Sequence, residues 1–311
     1  MDQRAEQLER PRVADLDKIL GKVIRVLDDG FIRVIDYMGN DSSIVQAARV
    51  SYGKGTKKIQ QDQGLIRYLM RHHHTTPFEM CEIKFHLRVP MDCWRQWIRH
   101  RTANINEYST RYSIAIDATQ TTQRDHWRLQ GLINRQGSQG FLDAEKGKYF
   151  TKQEKDFQEK ARQIYDERLE AGIAREQARK DLPLCTYTEA YWKIDLHNLL
   201  HFLELRMDWK AQYEIRKYAE IIGHEIVKRW CPITWEAFLD YRWGAMSLSK
   251  QEHEIIKEIS TGNLSRAIEL AREYGWMSLQ EGKLKNNLER LELEEKLRQL
   301  NLAIPWKEQI E

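Results

Sequence analysis

A mixed fold, a few β-strands among many helices, is what the residue pattern predicts. Residues 81–89 alternate, with Cys81, Ile83, Phe85, Leu87 and Val89 on one side and Glu82, Lys84, His86 and Arg88 on the other. That is the period of a strand with one buried face. Residues 23–37 form two β-rich runs around Asp28-Asp29-Gly30, a strong hairpin pattern. Trp94, Trp97 and Ile98 instead recur at the three- and four-residue spacing of a helix.

Taken in order, Asp41 or Ser42 is suited to cap a helix running to about Val50, and a second helix is predicted over 58–72. Pro90 stops the strand, and Asp92 reads as the N-cap of a helix that ends in Arg99-His100-Arg101. Residues 117–148 are polar and read as a long loop or lid. A helix follows over about 152–171, closed by Gly172, then a short helix over 174–181. A strand over 184–194 leads to helices over about 195–207, 211–230 and 234–241. Beyond about 246 the chain is highly charged, with leucines at helical spacing, and reads as a structural extension.

At 311 residues and 41% hydrophobic content, the chain can bury a sizeable core as one large domain plus an appendage. A net charge of +3 is too mild to indicate nucleic acid by itself. No apolar run approaches the roughly 20 residues of a membrane span. The charged first 18 residues lack a signal-peptide core, so a cytoplasmic protein is expected. Cys81, Cys93, Cys185 and Cys231 form no C-x-x-C pair and are expected as buried thiols.

The densest chemistry lies in residues 95–112. Arg95 and Arg99 are four apart, which places them on one helix face; Asn104, Asn106, Glu107, Ser109 and Arg111 follow closely. Guanidinium groups suit phosphate, and Ser and Asn orient a ligand by neutral hydrogen bonds, so the set suits a nucleotide. A solvated basic helix end accounts for the residue types equally well, and a nucleic-acid-binding module using 95–111 is the alternative function. His72-His73-His74 cannot all reach one metal ion from regular structure. His197 and His201 have the spacing of a zinc helix but no glutamate between them, which disfavours a metal-dependent hydrolase. Cys185 has no visible activating base. No G-x-G-x-x-G turn marks a Rossmann site.

The run Arg99-His100-Arg101, seven residues, then Ser109 resembles the signature of flavin-dependent thymidylate synthases, with Asn106-Glu107-Tyr108-Ser109-Thr110-Arg111-Tyr112 extending the match. His74-Thr75-Thr76-Pro77-Phe78-Glu79, Ala178-Arg179 with Leu182-Pro183-Leu184, and Asp195 through Arg206 are similar to three further family segments, in the family's order. Family members often carry Ser at the Asn104 position and Gly at the Thr110 position; some carry Asn for Asp195 and Arg for His197.

The resemblance implies an α+β fold, a central antiparallel sheet packed by helices (the thymidylate synthase-complementing fold), for a catalytic domain over 1–245; the charged helical extension over 246–311 lies outside the matched segments. It implies methylation of dUMP to dTMP with 5,10-methylenetetrahydrofolate as one-carbon donor, FAD as the redox group and NADPH as reductant. It further implies a homotetramer with shared active sites. Carried over residue by residue, Gln96, Arg99, Glu107, Ser109, Thr110, Arg111, Arg179 and Arg206 hold dUMP. Thr76, Arg99, His100, Arg101, Glu107, Asp195, His197 and His201 surround FAD. Arg206 is the catalytic position, stabilising negative charge on the uracil.

Overall fold

Five antiparallel strands form the centre of a computed structural model that describes residues 10–50, 59–131, 137–280 and 283–307. These strands are β1 (Ile24–Val26), β2 (Gly30–Met38), β3 (Glu82–Pro90), β4 (Asn104–Glu107) and, after two short strands β5 (Arg128–Gln130) and β6 (Ser138–Phe141), β7 (Tyr187–Asp195). Their spatial order is β1-β2-β3-β7-β4. The alternation in 81–89 holds: Ile83, Phe85, Leu87 and Val89 are buried, and Phe85 lies opposite Trp192 in register. Gly30 follows the hairpin turn because a side chain there has no room: a Cβ would lie 1.9 Å from the Tyr218 hydroxyl, which donates to the Arg88 carbonyl.

The helices before the sheet centre are α1 (Ala14–Asp17), α2 (Asp41–Val50), α3 (Ile59–Arg71), α4 (Thr76–Glu79) and α5 (Met91–Trp97). Asn40 caps α2, accepting from the Ser43 amide at 3.1 Å, so neither Asp41 nor Ser42 has that role. Asp41 instead serves a distant helix end, accepting from the Ile233 and Thr234 amides and the Thr234 hydroxyl. Pro90, not Asp92, occupies the N-cap position of α5. The helix stops at Trp97, so Arg99 lies beyond it and does not share a helical face with Arg95.

Next come α6 (Ala144–Glu170), α7 (Arg175–Ala178), α8 (Leu196–Arg206), α9 (Tyr213–Ile221), α10 (Lys228–Trp230) and α11 (Pro232–Phe238), with π-helical turns over Ile222–Val227 and Leu239–Trp243. The loop expected over 117–148 is partly ordered: β5 and β6 form a hairpin, and α6 begins eight residues early because Asp143 caps it; residues 132–136 lie outside the described residues. At the far end of α6, Gly172 has φ +77°, its amide bonds Leu169, and the Ile173 amide bonds Arg168. This is the predicted glycine stop, in Schellman form.

One core packs the sheet against α2, α3, α5, α8, α9 and α11. At its centre Trp97 contacts Trp192, Phe202 and Tyr218 at ring distances of 5.1, 4.7 and 5.8 Å. Large aromatics packed this way are worth several kcal/mol each, about 3–5 on truncation to alanine. They fix the end of α5 against α8.

Residues 244–311 make a second compact unit. It contains α12 (Lys250–Ser260), α13 (Leu264–Glu273), a hairpin of β8 (Leu279–Gln280) and β9 (Lys283–Leu284), and α14 (Leu288–Gln299). Ser249 and Glu252 form a capping box on α12. The unit has its own core, with Ile255, Ala267, Trp276, Leu293, Leu297 and Trp306 fully buried or nearly so.

Candidate active site

The turn after α5 and the outer side of α8 enclose a cavity of about 360 Å³ lined by Arg99, His100, Arg101, Thr102, Ile194, Asn198, His201, Leu205 and Arg206. Three guanidinium groups and no carboxylate line it, which makes it a site for an anion. Asn198, His201 and Leu205 present themselves by helical spacing, so Asn198 and Leu205, missed in the sequence, were readable from the stripe that passes through His201.

Arg206 is the centre of this site. Its Nε donates to His100 Nε2 at 3.1 Å and its Nη2 to the Gln96 carbonyl at 3.5 Å. No carboxylate pairs with it among the described residues, and burial lowers its pKa. An arginine desolvated without a counter-charge gains from any anion that enters. His100 packs edge-on against Phe202, with ring centroids 4.9 Å apart. Burial, then the charges of Arg206 and His201, push its pKa down to about 4. At neutral pH its Nε2 is therefore an acceptor, and the ring proton sits on Nδ1.

That depression has a sign that can be measured. The unfolded imidazole takes up a proton near 6.5 and the folded one near 4. Stability is thus complete above pH 6.5 and declines as pH falls toward 4. His100→Phe has no proton to take up there, so its urea midpoint drops less than wild type over that window; equal slopes would rule this out.

Other sequence-predicted residues gather elsewhere. Arg179 donates to the Thr110 hydroxyl at 2.6 Å. Arg111 pairs with Glu176 at 3.2 Å, and its amide donates to the Ser109 hydroxyl at 3.3 Å. Glu107, on exposed edge strand β4, accepts from the Thr188 hydroxyl at 2.9 Å. The cavity that holds Arg99 and Arg206 includes none of these residues. The Gln96 side chain donates to Gln212, which in turn donates to Asp92 at 2.8 Å.

Asp195 caps α8, accepting from the Asn198 amide and side chain at 2.9 and 2.8 Å. His197 opens onto a different, 10 Å³ recess with His74, Thr75 and Phe78, beside the exposed Thr76. His197 and His201 thus face different recesses despite their four-residue spacing. Cys185 lies in the turn before β7 rather than in a strand; burial raises its pKa, and the Gln158 amide donates to its sulfur at 3.4 Å. It is a poor nucleophile by that environment, and Cys185→Ala is expected to keep most of the activity in a turnover assay; complete loss would make Cys185 a catalytic nucleophile after all.

The family model for thymidylate synthase complementing protein matches residues 33–233. A flavin-dependent thymidylate synthase from Wolbachia pipientis wMel is 52% identical over 262 residues, 84% of this chain and 92% of the relative. The enzyme of that name from Rickettsia prowazekii (strain Madrid E) is 52% identical over 270 residues, 82% of this chain and 90% of the relative. Among solved structures, the UMP/dUMP methylase PolB from Streptomyces cacaoi, bound with 5-Br dUMP, superposes with a TM-score of 0.63. It is 31% identical and aligns over 71% of this chain and 99% of its own. Nothing among these relatives supports the nucleic-acid reading of residues 95–111. With about two thirds of its length matched by the family model and about half of the aligned residues shared with enzymes of one name, this chain belongs to the thymidylate synthase complementing protein family.

Proposed function

We propose that this protein is a flavin-dependent thymidylate synthase, a methyltransferase that converts dUMP to dTMP with 5,10-methylenetetrahydrofolate as one-carbon donor and NADPH as reductant. The observation that carries the proposal is the carboxylate-free cavity with Arg206, unpaired and half-buried, at its centre. Its donor set fits FAD and the nucleotide: Arg99 and Arg101 offer charge to phosphates, and Asn198, His201 and Thr102 offer neutral hydrogen bonds. When bound, FAD supplies the reducing equivalents.

The residues of the chain supply positioning and charge. Uracil C5 is a weak nucleophile, and raising the electron density on it places negative charge on the N3/O4 side of the ring. Arg206 holds a fixed positive charge there, oriented before the reaction begins. Arg99, Arg111 and Arg179, with Ser109, Thr110, Gln96 and Glu107, hold the phosphate and sugar of dUMP. Thr76, His100, Arg101, Asp195, His197 and His201 surround the flavin. Within one protomer, Arg111 and Arg179 lie outside the lining of the cavity that holds Arg99 and Arg206. This separation supports a homotetramer in which neighbouring protomers complete each site.

An absorption spectrum of the purified protein tests the proposal. Flavin bands that bleach with NADPH and shift on adding dUMP are expected. Colourless protein that cannot be reconstituted with FAD would overturn it.

A further inference from the structure

We propose that His100 is the positioning residue for Arg206: its imidazole is the acceptor that sets the angle at which the guanidinium enters the cavity. The proposal rests on the function assigned above and goes beyond a flavin contact for His100.

The geometry is specific. The guanidinium is a rigid plane, and two of its donors are committed, Nε to His100 Nε2 at 3.1 Å and Nη2 to the Gln96 carbonyl at 3.5 Å. Two bonds in one plane fix its orientation and leave Nη1 for a ligand. The choice of acceptor matters as much as the bond. A carboxylate at this position would neutralise Arg206, whereas an uncharged imidazole orients it and leaves its charge for the substrate. The imidazole stays uncharged because of what faces it: Arg206 and His201 from α8, the Phe202 ring, and Arg99 and Arg101 from its own turn. No carboxylate lines the cavity beside it, and burial with two of those charges depresses its pKa.

The test uses FAD-loaded enzyme and four variants: His100→Phe, His100→Gln, Arg206→Ala and the double variant. His100→Phe keeps the ring against Phe202 and removes the acceptor, so kcat/KM for dUMP falls by about 10- to 100-fold, as for loss of a hydrogen bond to a charged group. In His100→Gln the amide oxygen reaches the Nε2 position, so activity recovers to within about threefold of wild type. The double variant Arg206→Ala/His100→Phe is no slower than Arg206→Ala alone, because His100 acts through Arg206. Losses that multiply, or a glutamine no better than phenylalanine, overturn the proposal; flavin content is measured in each variant to separate cofactor loss.

A wild-type protein that makes no dTMP refutes the function instead. The hydrogen bond is then read by 15N NMR of histidine-labelled protein. An acceptor-type Nε2 on His100 that persists well below the ordinary imidazole pKa, and titrates higher in Arg206→Ala, supports the proposal. Ordinary titration in wild type overturns it.

Discussion

Arg206→Ala lowers dTMP formation by on the order of 10²- to 10³-fold and leaves flavin bound. The magnitude is that of removing one preorganised charge aimed at developing negative charge. Its direction follows from the surroundings. Arg206 spends only an Nε and an Nη2 on the protein, both on uncharged acceptors, and burial makes its unpaired charge costly. The loss falls on kcat more than on flavin retention, because Arg99 and Arg101 remain to hold phosphates. Product formation and bound-flavin stoichiometry, measured on the same preparation, decide it. Undiminished turnover would remove Arg206 from the mechanism.

The second large effect is in the 244–311 unit. Glu294 is almost fully buried and lies 3.3 Å from Arg290, itself 3% exposed, while the Trp306 indole donates to it at 2.8 Å. Glu294→Ala leaves a buried guanidinium without its counter-charge and an indole N–H without its acceptor. A loss of about 3–5 kcal/mol is expected for this unit, the usual result of breaking a buried ion pair from one side. Hydrogen exchange read on peptides from 250–300 should accelerate, while peptides from β3, β7 and α8 stay protected. Equal acceleration throughout would contradict our proposal that residues 246–311 form a separate extension to a catalytic domain over 1–245.

How much was legible beforehand depended on whether the pattern was local. The strand at 81–89 was readable because its alternation is set by neighbours two residues away. Gly172 was readable because left-handed backbone at a helix end favours glycine. The start of α6 was hidden, because Gly137 and Gly140 outweighed the cap at Asp143. Strand β4 was hidden too: all four residues are exposed, so no apolar alternation marks it, and it exists by pairing with β7. The end of α5 was misjudged by two to four residues, enough to separate Arg95 from Arg99.

By itself, the sequence determined the chemistry on offer: guanidiniums, hydroxyls and amides at spacings that match one family, with no activated cysteine. Only the tertiary structure decided which of them meet. Arg206 and His100 stand 106 residues apart and are joined because Trp97 packs on Phe202. Thr110 and Arg179 meet in a different place. Such pairings are made by core packing between distant segments, and a linear pattern carries no record of them.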